Sequence, residues 1–262
     1  MGRMRCPAKS MQRHHPIIVS KTVGAPDQSG LHIVTGATSG IGMAIARMLA
    51  GRSRRVIALG RDAAALESLC SQQDEWIRPM DVNLLDDAAV DAFAGVIQRD
   101  GRNISALIHC AGVHFVGDFE HSTVAQLDEM YMTNVRAQYN LTQKLLGPLR
   151  QGRGYLICVN SSAGLTPRAG VGAYGATQHA MRALAESWRL ELNDQAIRVL
   201  NIFPGRTYTP RIVKLFAQEG RSFDPELLLQ PEDIAEVVLL ALELPGRVEL
   251  TDVSLRPAQK SY

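Results

Sequence analysis

The sequence predicts a single α/β domain built on a doubly wound parallel sheet of about seven strands. Three observations lead there. Short apolar runs alternate with stretches of helical spacing from residue 31 onward. Most of these runs are apolar throughout, as parallel strands covered on both faces require. A glycine-rich turn follows the first run and opens a helical pattern, the arrangement of a βα unit.

The first strand is expected at Leu31-His32-Ile33-Val34. Arg55 to Leu59 reads as the second and Ile77 to Met80 as a weaker third. Ser105 to Cys110, Tyr155 to Asn160, Ile197 to Phe203 and Val248 to Leu255 supply the remaining four. Between them, Val90, Phe93, Ala94 and Ile97 fall at i, i+3, i+4, i+7, and Ile234, Val237, Val238, Ala241 and Leu242 repeat that spacing. The last of these helices opens with Pro231, Glu232 and Asp233, which suit a first turn and the positive end of its dipole. The sequence shows no internal repeat or low-complexity tract, so one domain is expected over residues 31–262.

Residues 1–30 read differently. They hold Arg3, Arg5, Lys9, Arg13 and Lys21 against Asp27 alone, and are read as a solvated, flexible basic tail. Their apolar surface is too small to offset ordering entropy. A chain starting near Gln28 is therefore expected to keep its melting temperature within a few degrees; a large drop would mean that the tail packs on the domain. Met4 and Met11 leave a later start codon open.

The 46% hydrophobic and 21% charged content is that of a soluble globular protein, and a net charge of +2 argues against a dedicated nucleic-acid or membrane-surface binder. Cys6, Cys70, Cys110 and Cys158 form no C-x-x-C pair, so neither a disulfide framework nor a metal site is expected. The N-terminus lacks the apolar core of a secretory signal. A cytoplasmic protein is the expectation.

Thr35-Gly36-Ala37-Thr38-Ser39-Gly40-Ile41-Gly42 lies between a strand and a helix marked by Ile41 and Ile45. Glycines let the backbone turn tightly and approach a pyrophosphate, while a helix N-terminus offers unpaired N–H groups. In this context the motif reads as dinucleotide-binding rather than as an ordinary turn. Farther along, Tyr174-Gly175-Ala176-Thr177-Gln178 begins thirteen residues after Ser161. Together the two stretches resemble the short-chain dehydrogenase/reductase family, with its T-G-x-x-x-G-x-G turn and Tyr-x-x-x-Lys pair. The likeness runs from the first strand to about Arg256-Pro257. It implies a Rossmann-type fold, a nicotinamide dinucleotide cofactor and assembly into a homodimer or homotetramer.

The resemblance also assigns residues. Gly36, Thr38, Ser39, Gly40, Ile41 and Gly42 would hold the cofactor phosphates. Asp81, followed by Val82, matches the aspartate that caps the adenine pocket. Ala111 and Gly112 would pack on the adenosine side. Pro204-Gly205-Arg206-Thr207-Tyr208-Thr209 resembles the segment that holds the nicotinamide carboxamide, with Thr209 at the hydroxyl position and Thr207 replacing the usual branched apolar residue. After the second strand, neutral Gly60 precedes Arg61, whose forked donors suit a 2′-phosphate, so NADP(H) is expected over NAD.

The reaction centre maps to Asn134, Ser161, Tyr174 and, by place only, Gln178. Ser161 would bond the substrate oxygen, Tyr174 would exchange the proton that accompanies hydride transfer and, with Gln178, contact the cofactor, and Asn134 would hold a water in the relay. Where the family has lysine, this chain has Gln178. An amide still hydrogen-bonds a ribose but supplies no positive field. His179 is turned roughly 100° away around the helix, and Arg182, on the same face, lies farther from the nicotinamide. Three readings follow. The leading one is an NADP-linked reductase of a small or medium, partly apolar carbonyl compound, in which neutral Tyr174 already carries its proton. The others are a relative repurposed for dehydration or cyclisation, and a silent nucleotide sensor or partner subunit. Arg211 to Gln230 is expected to form a mobile lid, with the loops His114–His121 and Leu165–Val171 completing the pocket.

Overall fold

A computed structural model of the chain describes residues 30–71, 75–218 and 220–259. The basic segment 1–29 lies outside the described residues. The strands are β1 (Leu31–Thr35), β2 (Val56–Gly60), β3 (Ile77–Asp81), β4 (Ile104–His109), β5 (Tyr155–Val159), β6 (Arg198–Pro204) and β7 (Asp252–Leu255). They form one parallel sheet in the order β3-β2-β1-β4-β5-β6-β7. The helices are α1 (Gly40–Gly51), α2 (Ala63–Cys70), α3 (Asp87–Asp100), α4 (Val124–Tyr131), α5 (Ala137–Gln151), α6 (Gly172–Leu192), α7 (Pro210–Gln218) and α8 (Pro231–Glu243). The doubly wound sheet expected from the sequence is therefore the observed architecture.

Alternate strand residues face opposite layers. Val34, Ala58, Ile108, Ile157 and Ile202 pack with α1, α2 and α8 on one face. Ile33, Leu59, Leu107, Leu156 and Val199 pack with α3, α5 and α6 on the other. The stripe expected on α6 is part of this second layer: Met181, Ala185 and Trp188 are buried against the sheet of their own chain. The chain winds outward through β2 and β3, then returns to place β4 beside β1. That reversal opens a crevice at the carboxyl ends of the strands, where ligands of such sheets bind.

Two elements depart from the sequence expectation for identifiable reasons. The last strand begins at Asp252 rather than Val248. Val248 is held in a turn by Pro245, and the Glu249 carboxylate accepts from the Val199 N–H at 2.8 Å, taking the place of a strand carbonyl. The lid segment contains a packed helix, α7, with Phe216 fully buried, stacked on Phe223 at 4.4 Å and lying under the Arg206 guanidinium. The weak third strand is the sheet edge, which tolerates Pro79 because the edge leaves one side unpaired. Among the described residues, no helix is long and apolar enough to cross a membrane.

Candidate active site

A cavity of about 560 Å³ opens at the reversal point. Its walls include Gly36, Thr38, Ser39, Gly40, Ile41 and Gly42 from the β1–α1 turn, and Arg61, Val82, Ala111 and Gly112 from the following strand ends. Pro204, Gly205, Thr207 and Thr209 line it after β6. Asn134, Ser161, Tyr174 and Gln178 complete the set, so one space gathers every expected site residue except Asp81. Asp81 ends β3 opposite Gly60, exposed and outside the lining, while its neighbour Val82 is buried and lines the wall.

The glycine turn is built for close approach. Gly36 has φ of 64°, and a Cβ there would meet the Ala111 backbone at 2.9 Å. A Cβ on Gly42 would fall on the Gly36 carbonyl oxygen. Ser39 is extended and its side chain caps nothing, and the first turn of α1 has no acid. The N–H groups of that turn are thus left for an anion. Across the crevice, the Thr35 hydroxyl accepts from the N–H groups of Cys110 and Ala111 at 3.0 and 3.1 Å, tying β1 to the end of β4. Arg61 is exposed after Gly60. The acid beside it, Asp62, caps α2 by accepting from the Ala65 N–H, and is absent from the cavity wall.

A π-turn, Met132–Arg136, interrupts the path from α4 to α5 and carries Asn134. Such single-turn insertions are frequent at functional sites because the extra residue re-aims a side chain. The turn is entered from a well-terminated helix: Thr123 and Gln126 bond each other's backbone N–H groups at the start of α4. Asn134 Oδ1 accepts from the Val113 N–H at 2.8 Å, and Nδ2 donates to the Val113 carbonyl at 2.9 Å and the Thr177 hydroxyl at 3.1 Å. Both amide hydrogens are committed, which leaves one lone pair on Oδ1.

Ser161 and Tyr174 both line the cavity, and the serine side chain is close enough to act on the phenol. Asn160 sets that approach. Its Oδ1 accepts from the Ser161 N–H at 2.7 Å and its Nδ2 donates to the Gln178 carbonyl at 3.1 Å, fastening the end of β5 to α6. Desolvation pushes the Tyr174 phenol above its ordinary range; the Ser161 hydrogen bond and the Arg211 charge pull the other way. Gln178 is 6% exposed and donates from Nε2 to the Thr177 hydroxyl at 3.4 Å.

Several groups at the centre were not singled out from the sequence. His114 stacks edge-on against Tyr174 at 4.3 Å, and burial, reinforced by Arg211, lowers its pKa to about 4, so it is neutral at pH 7. Arg211, at the start of α7, donates to the Gly112 carbonyl at 2.6 Å. Arg168 donates to the Ser162 hydroxyl at 2.9 Å. The loops bearing His114 and Arg168 were expected at the pocket and are joined there by the Gly117 N–H donating to the Gly170 carbonyl. His109 is packed against Thr142 and held neutral by burial, with a pKa of about 3; Cys110 and Cys158 have thiols that burial pushes up. Among the described residues, no group of three His, Cys, Asp or Glu side chains has the arrangement of a metal site.

Residues 31–220 match the family model described as short chain dehydrogenase. The chain belongs to this family. An uncharacterized short-chain type dehydrogenase/reductase of Sinorhizobium fredii is 35% identical over 230 residues, covering 86% of this chain and 90% of the relative. The NADP-dependent 3-hydroxy acid dehydrogenase of Salmonella typhimurium is 30% identical over 237 residues, covering 88% and 96%. Among solved structures, serine dehydrogenase in a closed form complexed with NADP+ superposes with a TM-score of 0.80 at 27% identity, covering 88% of this chain and 96% of that one. Serine dehydrogenase from Escherichia coli gives 0.78 at 26% identity, covering 88% and 100%.

Proposed function

We propose that the protein is an NADP(H)-dependent oxidoreductase that reduces the carbonyl of a small or medium, partly apolar metabolite. The observation that carries this reading is the Ser161–Tyr174 hydroxyl pair inside the cavity walled by the glycine turn. When bound, NADPH supplies the hydride. The open N-terminus of α1 and the Gly36–Gly42 turn hold phosphate, and Arg61 binds the 2′-phosphate. Ser161 donates a hydrogen bond to the substrate oxygen. Tyr174 gives that oxygen its proton, and the resulting phenolate is reprotonated from solvent through the cavity.

Gln178 occupies the family's lysine position in this reading. Without that ammonium, Tyr174 is a poor base at neutral pH but remains a competent acid, since a phenol with a raised pKa keeps its proton. Reduction is therefore the favoured direction. Binding without turnover is the second reading, favoured by the lack of a cation on α6 beside Tyr174. NADPH oxidation across a carbonyl panel separates the two. Self-association into a homodimer or homotetramer belongs to the same proposal; exposed Tyr131 and Leu190 are apolar surface that such a contact would cover.

Arg61→Ala is expected to weaken NADPH binding by about ten- to a hundredfold, the worth of a charge-assisted hydrogen-bond pair. NADH binding should change by no more than about twofold, because the removed group faces only the 2′-phosphate. Fluorescence titration with both cofactors measures this, and equal losses would reject Arg61 as the 2′-phosphate ligand.

A further inference from the structure

The cavity wall contains four arginines, Arg61, Arg168, Arg206 and Arg211, and no aspartate or glutamate. Arg61 lies after β2 at the adenosine end, and Arg206 is spread over the Phe216 ring as a packing group. Arg168 and Arg211 remain. Each is anchored to a segment that leads to the reaction centre. Arg168 bonds Ser162, the neighbour of Ser161; Arg211 bonds the carbonyl of Gly112, whose neighbour Val113 is clamped by Asn134. Among the described residues, neither arginine forms an ion pair with a carboxylate. The other polar side chains close to Tyr174 are neutral: His114 by burial, Gln178 by nature.

Two guanidinium groups on the wall of one cavity, with no acid on that wall to offset them, make a site for an anion. The planar fork of arginine matches a carboxylate in particular. We propose that Arg168 and Arg211 form a carboxylate-binding subsite beside Tyr174, and that the substrate is an oxo acid reduced to a hydroxy acid. This rests on the reductase reading above. The subsite joins the loop after β5 to the first turn of α7, so an occupant ties the lid helix to the sheet. It also serves the chemistry: a bound carboxylate offsets the Arg211 charge that Tyr174 feels, leaving the phenol protonated and ready to donate.

The test is calorimetric titration of the NADP+-loaded protein with pyruvate, acetoacetate and levulinate, which space the carboxylate differently from the carbonyl, and with their methyl esters. At least one acid is expected to bind about tenfold or more tightly than its ester. Arg168→Gln and Arg211→Gln should each erase about tenfold or more of that preference, read as the ratio of acid to ester affinity, as for loss of a charge-assisted hydrogen bond. Both side chains are exposed, so folding should persist, checked by melting temperature. Equal binding of acid and ester, no binding of either, or a preference that survives both substitutions would overturn the proposal. Acid-selective binding without NADPH oxidation would uphold the subsite and reject the reductase reading, so the two failures are distinct.

Discussion

Tyr174→Phe is expected to lower NADPH-dependent reduction by about 10²–10⁴-fold, the usual worth of a positioned general acid. Cofactor binding should stay within a few-fold of the parent, because the lost atom is one hydroxyl and not part of the glycine turn. Stability should fall little: the ring contact with His114 at 4.3 Å is kept by phenylalanine. Steady-state rates with a saturating substrate, beside fluorescence titration of NADPH, separate these effects. A variant that keeps more than half of the parent rate would exclude Tyr174 as the proton donor. A variant that loses NADPH binding in parallel would show that the phenol holds cofactor.

Gln178→Lys should raise alcohol oxidation near neutral pH by about ten- to a thousandfold, with ketone reduction changing much less. An ammonium within a few ångströms lowers a phenol pKa by roughly one to three units. Oxidation needs the tyrosinate, and well below its pKa the ionised fraction rises about tenfold per pH unit. The parent's oxidation rate should therefore climb steeply with pH, because desolvation holds Tyr174 above its ordinary value. In the lysine variant that climb should shift to lower pH. Two features place the gain toward the lower end of the range. Gln178 is buried, so a new ammonium is itself partly desolvated, and Arg211 already acts on the phenol. The pH dependence of kcat in both directions, for parent and variant, is the measurement. If lysine abolishes a turnover that the parent performs, Gln178 is an adapted catalytic residue and the reading of a repurposed enzyme takes precedence.

The sheet was legible because buried parallel strands are short apolar runs, a signal that needs no partner to be seen. The start of β7 was not. Val248 and Leu250 look like strand residues, but the Glu249 carboxylate bonds the Val199 N–H, a contact 50 residues apart that no local pattern announces. The gathering of Gly36, Arg61, Ser161 and Tyr174 was legible through spacing and resemblance. The place of Asp81 was not legible: its exposure follows from standing on the edge strand, one residue before the chain turns Val82 inward.

The residues around Tyr174 divide along the same line. The sequence by itself determined the layered α/β architecture, the glycine turn and the identity of the hydroxyl pair, because periodicity and motif spacing are properties of neighbouring residues. It also determined that α6 carries an amide at Gln178. Only the tertiary structure decided that Asn160 fastens β5 to α6, that the π-turn commits Asn134 to Val113 and Thr177, and that His114 lies against the phenol. It likewise decided that Arg211 reaches Gly112 from 99 residues away, bringing a positive charge to a centre whose own helix has an amide at Gln178. Electrostatic fields act through space, so a guanidinium brought in by α7 counts as fully as one written into the motif.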